Sequence, residues 1–521
     1  MLTLAALVAA ALGLAAQEPP APLGEADFDR LDDCAADYES RAEERAGWSI
    51  IDARAMTSPV AIHAALLRAL PEGKRIVILG GEFPKADMRV VADGLANACL
   101  VDMNLEGSNW EATQIPQLQL VRTSLREAKL ARARWPGLRT RGVDIEGADF
   151  SRADLSGMRF VSAYQGAGFG STSFAGANLR DASFACGITV DEWCINATPD
   201  LTGADLTGAD LSGLGLWDAA MHEGAVIDNT TIAPRSLPRL GGARIIGPVR
   251  LANYFTPTYE SEDEGEGGGE RLRVDITPDE ARSLIAASLS VVSPPDRPSF
   301  DCAKAGTPVE KLICGQFAEY LRSLDRDLAE VWGEVRAAGK GDLAAQRRWL
   351  AARGQCKDET CLVDRYEARL AQLRGLLGPG ITLKPGETVS YHTDLLPLPD
   401  AARHGDLYAR IIPVLIDGSY QRVTLTGGKD GTIDAVGDAI GGNAHMCDLN
   451  ALGLRFDPAS GWWSLRGTEG AMLPLLRLDG RRIHFRYSGN LGDTPEEVGD
   501  VISCGARAAF DSGIDLSPRP D

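Results

Sequence analysis

Ten cysteines carry the most definite chemistry in this sequence. They fall as neighbours within successive segments: Cys34 and Cys99, Cys186 and Cys194, Cys302 and Cys314, Cys356 and Cys361, Cys447 and Cys504. An even number of thiols grouped in this way predicts disulfides formed in an oxidising compartment. Ten thiols admit roughly a thousand pairings, and spacing alone does not choose among them. Zinc is disfavoured, because no C-x-x-C occurs and no His stands at ligand spacing beside a pair. The six histidines, His63, His222, His392, His404, His445 and His484, are scattered. His445, next to Cys447, reads as a hydrogen-bonded side chain near a disulfide, with no second ligand spaced to help it hold a metal. H-E-x-x-H, G-x-S-x-G, the phosphate loop G-x-x-x-x-G-K-[ST] and the EF-hand loop are all missing. Asp191 and Glu192 are adjacent, so they need not face one another, and the surface of an insertion accounts for them. The expectation is a binding protein with no catalytic residues, no metal and no cofactor.

The elements that would carry such binding show first as a five-residue period. Large apolar residues recur at Leu100, Leu105, Trp110, Ile115, Leu120, Leu125, Leu130 and Trp135, lapse at Thr140, and continue through Ile145, Phe150, Leu155 and Phe160. After a slip of one they return at Phe169, Phe174, Leu179 and Phe184, and after an insertion at Leu206, Leu211 and Leu216. A small residue, often Ala, stands two places earlier, as in Ala148, Ala153, Ala204 and Ala209. Five matches neither the 3.6-residue helix nor the two-residue strand. It predicts a coil in which every five residues form one side and turn a corner, with Phe150, Leu155, Phe160, Phe174, Leu179, Leu206 and Leu211 in its core. GADFSRADLS and LTGADLTGADLSG resemble the pentapeptide-repeat family over about residues 95–220. That resemblance implies a right-handed quadrilateral β-helix, which we assign to 95–255, with Gly247–Tyr254 closing the rod. Residues 17–94 are expected to cap it, pinned by Cys34–Cys99. The insertion Gly187–Pro199 reads as a surface loop at a corner, closed by Cys186 and Cys194. Residues 256–298, beginning with the acidic Tyr259–Glu270, read as a flexible linker.

Residues 299–376 change character. Thr307-Pro308-Val309-Glu310 is a capping box with Pro at the first helical position. A helical stripe follows at Ile313, Phe317, Leu321, Leu324, Leu328 and Val331. Further helices carry Gln346, Trp349 and Arg353, then Leu362, Tyr366, Leu370 and Leu373. Trp349 and Arg353 share a helix face, read as core packing plus a buried ion pair. Both cysteine pairs, Glu310, Leu324, Asp325 and Gln346-x-x-Trp349-x-x-x-Arg353 resemble the LprI-type lysozyme-inhibitor domain. The resemblance implies a periplasmic or secreted module, in some members an inhibitor of animal-type lysozyme. Residues 380–521 return to strands, with Leu407–Ile416 and Tyr420–Leu425 read as a hairpin across Asp417-Gly418. An antiparallel β-sandwich or barrel stapled by Cys447–Cys504 is expected. The fold class is thus multidomain and mainly β.

Residues 2–16 are uncharged and Ala/Leu-rich, then broken by Gln17-Glu18-Pro19-Pro20, the pattern of a signal peptide over 1–16. No later run is apolar and long enough to span a bilayer. With 53 basic and 73 acidic residues the chain carries −20, which argues against nucleic-acid partners and favours basic protein ones. The sequence reading is an exported binding protein that protects the cell wall against a basic, lysozyme-like enzyme. Its alternative is a periplasmic scaffold that uses the solenoid as a protein-interaction surface. Oligomeric state is not legible.

Overall fold

A computed structural model describes residues 31–35, 41–162, 171–185, 199–214, 223–253, 272–291, 297–316, 318–393, 395–440, 446–467, 470–479, 482–487, 496–505, 509–510 and 516–518. The expected leader, Cys186 and Cys194 with their insertion, the acidic stretch 259–270, Phe317, His222 and His445 lie outside these residues. The chain divides into two compact units, Met1–Ser288 and Leu289–Asp521.

The first unit is a coil. Strands β1 (Trp48–Asp52), β2 (Arg75–Leu79), β3 (Cys99–Val101), β4 (Gln119–Val121), β5 (Arg139–Val143), β6 (Arg159–Ser162) and β7 (Ser183–Ala185) lie side by side in that order, all parallel. Cys99, Gln119, Arg139 and Arg159 share one row, a step of twenty residues per strand. Single bridges repeat the step through Asn104, Ser124 and Asp144, through Asn109, Lys129 and Asp149, and through Gln114, Arg134 and Asp154. Four ladders five residues apart are what the five-residue period folds into. The corner follows from backbone sterics: the residue two places after most central ones is left-handed, as at Asp102 (φ 54°), Ala112 (φ 56°), Gln117 (φ 57°) and Gly157 (φ 67°).

Inside, Phe150, Leu155, Phe160, Phe174, Leu179, Leu206 and Leu211 are fully buried, whereas Phe169 and Leu216 lie outside the described residues. Trp110 and Trp135 meet edge to face at 5.4 Å, and Phe150 and Phe174 stack at 5.2 Å. The small position supplies the oxygens the indoles require: Trp110 Nε1 donates to Ser108 Oγ (2.8 Å) and Trp135 Nε1 to Thr113 Oγ1 (3.0 Å). Thr140, the lapse in the pattern, still points inward, its hydroxyl accepting from Val161 N (3.1 Å).

The coil is longer at both ends than its repeats. Two strands, β1 and β2, belong to the same sheet although they lie in the segment expected as a cap, and helix α1 (Pro59–Ala69) sits between them with Ile62, Ala65 and Leu66 buried. Beyond the repeats, β8 (Val226–Ile227), β9 (Thr230–Ile232), β10 (Arg244–Ile245) and β11 (Val249–Ala252) continue the parallel pairing. An antiparallel strand, β12 (Arg273–Ile276), then covers β11. Helix α2 (Pro278–Ser290) follows, burying Ala281, Leu284, Ile285 and Ser288, and its Arg282 donates to the Ile245 carbonyl (2.8 Å). The expected linker 256–298 is therefore ordered over 272–291, because a helical stripe follows its acidic start.

The second unit opens with helices α3 (Pro308–Ile313), α4 (Glu319–Ala337), α5 (Leu343–Arg353) and α6 (Glu359–Leu377). The stripe expected as one helix from Thr307 breaks at Cys314–Ala318, where Cys314 is bonded to Cys302 and Gly315 follows. Helices α4 and α6 pack through Leu321, Leu324, Leu328, Tyr366, Leu370 and Leu373. Strands β13 (Thr388–Thr393), β14 (Gln421–Gly427), β15 (Ile433–Ile440), β16 (Met446–Asp457), β17 (Trp462–Arg466), β18 (Met472–Asp479) and β19 (Arg482–Phe485) form one antiparallel half-barrel, with β20 (Ile502–Cys504) on β16 and β21 (Leu516–Pro518) on β13. Leu407–Ile416, expected as a strand, is helix α7 (Asp406–Asp417): its buried Tyr408, Ile411, Ile412 and Leu415 follow helical spacing. The helices seat on the sheet at Gly375, where an added Cβ would stand 2.0 Å from the Pro458 carbonyl oxygen.

Candidate protein-interaction surfaces

Among the described residues four disulfides join Cys34 to Cys99, Cys302 to Cys314, Cys356 to Cys361 and Cys447 to Cys504. Among the described residues no group of three or more His, Cys, Asp or Glu side chains converges to hold a metal.

The sheet β3–β6 is one outer face of the coil. Its inward residues Leu100, Leu120, Thr140 and Phe160 are flanked by two outward columns. One runs Cys99, Gln119, Arg139, Arg159; the other runs Val101, Val121, Arg141, Val161. A short segment, 31–35, lies over the first turns. Leu31 and Cys34 are fully buried in a cluster with Trp48, Val77, Val101 and Val121, and Cys34 is bonded to Cys99. Gln119 Nε2 donates to the Asp33 carbonyl (3.0 Å) and Arg75 Nη1 to the Cys34 carbonyl (2.6 Å). The Asp33 carboxylate takes Arg122 and Arg141, the latter at 3.2 Å. Burial holds the Arg75 guanidinium below its usual range; Glu44 opposes this and Arg139 adds to it.

The other faces are occupied by corner chemistry. Asp149 accepts from Ser151 N (2.9 Å), Asp154 from Ser156 N (3.2 Å), Asp205 from Thr207 N (3.1 Å) and Asp210 from Ser212 N (3.0 Å). These Asx turns make the Asp of each repeat a structural residue. Burial opposes the charge of Asp205. The Thr207 hydroxyl and N–H and the Arg180 guanidinium outweigh it and hold the carboxyl below its usual range.

In the helical module the motif residues turn inward. Asp325 Oδ1 accepts from the Tyr366 hydroxyl (2.5 Å), and its Oδ2 from Ser299 N (2.8 Å) and Ser299 Oγ (2.6 Å). Arg353 Nη1 donates to the Tyr366 oxygen (2.7 Å) and stands 3.5 Å from Asp325. Trp349 meets the Tyr366 ring edge-on at 5.3 Å. Gln346 Oε1 accepts twice from Arg369, at 3.1 and 2.8 Å. Leu324 is core, and Glu310 closes the capping box on Thr307. Burial, then the Asp325 charge, pushes the Tyr366 hydroxyl well above its usual range. The partners Ser299, Tyr366 and Arg369 carry no motif spacing of their own, and only the converging helices identify them. Next to this network an open groove of about 590 Å³ is lined by Pro308, Lys311 and Leu312 on one side and 354–357 on the other.

Residues 119–160 match the family described as pentapeptide repeats, in eight copies. The middle of the coil is thus built of pentapeptide repeats. Two solved structures are similar to parts of the chain. Full-length QnrB1, a plasmid-mediated fluoroquinolone resistance protein, is 14% identical, covering 41% of this chain and 99% of that one, with a TM-score of 0.14. HetL, a pentapeptide repeat protein involved in heterocyst differentiation regulation from the cyanobacterium Nostoc sp. strain PCC 7120, is 20% identical, covering 35% and 90%, with a TM-score of 0.13. No curated protein matches the chain. The family match lies wholly inside the solenoid, whose ladders continue past it on both sides.

Proposed function

We propose that the chain is an exported, non-catalytic scaffold whose solenoid receives a partner protein. One observation carries this reading: the coil face running from β2 to β5 already holds a polypeptide segment, 31–35, through its carbonyls, its carboxylate and an apolar side chain. Parallel ladders give such a face a fixed spacing and little freedom to lose on binding, which favours recognition. The four disulfides support an oxidising, non-cytoplasmic compartment, and the uncharged run 2–16 supports export. No described helix is long and apolar enough to cross a membrane. The finer form of the coil is taken to be the right-handed quadrilateral β-helix that its repeats imply. Photo-crosslinkers placed at outward coil positions in the native cell envelope test the reading. A captured protein is expected, and silence from every coil face, with capture from Lys357 of the helical module instead, would overturn it.

A second reading, LprI-type inhibition of a lysozyme, is favoured by the convergence of Asp325, Trp349 and Arg353 on Tyr366, since residues that fix a fold are those a family signature keeps. Its groove carries Lys311 and Lys357, which disfavours a basic enzyme there. An inhibition assay with the full chain decides it.

A further inference from the structure

We propose that the solenoid face bearing Arg139 and Arg159 receives a short acidic segment of the partner protein, held as 31–35 is held one turn earlier. This rests on the scaffold reading and adds the chemistry of the partner. The chain's own segment is the template. Its carbonyls are taken by the Arg75 and Gln119 side chains, its Asp33 carboxylate by Arg122 and Arg141, and its Leu31 by the strip that includes Val101 and Val121.

Two of these features recur beyond it, and the arginines among them can also take carboxylates. Arg139 and Arg159 continue the donor column of Gln119, one strand apart in register. Val161 continues the apolar column, and Arg141 stands between it and Val121. Arg139 and Arg159 are exposed, and neither forms an ion pair with a described residue, whereas Arg122, Arg126 and Arg180 of the same coil are each paired with acids. Like charges side by side on neighbouring strands are destabilising. A chain with 73 acidic residues against 53 basic ones nevertheless keeps them there. Carboxylates arriving from a partner remove that repulsion and take the guanidinium forks in paired hydrogen bonds. Val161, beside Arg159, adds an apolar contact that favours a polypeptide over a bare polyanion.

The test uses the full chain with its disulfides intact and a fluorescein-labelled peptide, Leu-Asp-Asp-Ser-Ala-Leu-Asp-Asp, at low salt. The Arg139→Gln/Arg159→Gln variant is expected to bind about tenfold more weakly with a melting temperature no lower than that of the wild type, since both side chains are exposed and their mutual repulsion is removed. The Asn-for-Asp peptide should bind the wild type as weakly, and added salt should erase the difference. Equal affinity for the double variant would overturn the proposal, as would heparin binding without peptide binding. If crosslinked partners persist from the coil while the peptide fails to bind, the scaffold reading stands and this proposal falls.

Discussion

The corners of the solenoid can be tested by a pair of substitutions with opposite signs. Ala112 and Gly157 occupy the same place in the repeat, two residues after the inward one, and both are left-handed, at φ 56° and 67°. A side chain in this conformation costs roughly 1–2 kcal/mol, and glycine, free of that cost, loses about 0.5–1 kcal/mol more in ordering its backbone. Ala112→Gly should therefore stabilise the coil by about 0.5–1 kcal/mol, and Gly157→Ala should destabilise it by a similar amount. Nothing lies within 4 Å of a Cβ built on Gly157, so backbone conformation alone sets the second cost. For a unit of this size, 1 kcal/mol moves the melting temperature by about 2–4 °C. Calorimetry of both variants should show shifts of opposite sign. Two shifts of the same sign, or a stabilised Gly157→Ala, would refute the left-handed corner and with it the five-residue side.

Three further substitutions probe the core, the helical network and the charged corners. Leu211→Asp places an unpaired charge at a fully buried position and should cost on the order of 4 kcal/mol, seen as a large fall in melting temperature; an unchanged melt would put the residue outside. Tyr366→Phe removes the hydroxyl joining Asp325 to Arg353 and should cost about 2 kcal/mol, read as faster hydrogen exchange in α4 and α6; unchanged exchange there would mean the network holds nothing together. Asp205 has its folded pKa depressed, so its contribution is present above the usual carboxylate range and is lost as pH falls through the folded value. Asp205→Asn should therefore lower the melting temperature at neutral pH and make no difference in strong acid, whereas a deficit that persists in acid would assign the effect to packing.

The solenoid was legible where its inward column is large and regular, because only a five-residue side keeps Leu100 through Leu211 in one core. Its first strands were not, since β1 and β2 are separated by α1 and a strand such as RIVIL reads the same in any buried sheet. Helix α7 was misread as a strand for a related reason. Ile411, Ile412 and Val414 are β-branched and Pro413 interrupts the run, yet burial at Tyr408, Ile411, Ile412 and Leu415 sets a helical period that outweighs propensity. Ordered α2 was hidden behind the acidic stretch, whose composition was extended too far along the chain. The inward motif residues of the helical module could be placed on helix faces from spacing, but Ser299 and Arg369 reach them only through tertiary packing.

The arginine face was invisible because its members stand twenty residues apart, and the reason it can carry function is itself structural. At many positions on the other three faces, the residue before the central one serves the corner. Asn104, Asn109, Asp144, Asp149 and Asp154 each accept the N–H two residues on, at 2.9–3.2 Å. Much of the acidic surplus is thus a requirement of the turns and says little about a partner. In β4–β6 the corresponding residues lie in continuous strands, where the ladder supplies the backbone partners and no side-chain acceptor is required. The fold leaves that slot free. Gln119, Arg139 and Arg159 fill it with donors, and the segment held on this face, 31–35, is acidic and bound by the first of them. Recognition is therefore to be sought where the repeat departs from its own pattern, on the flat face, and not in the Asp positions that make the pattern.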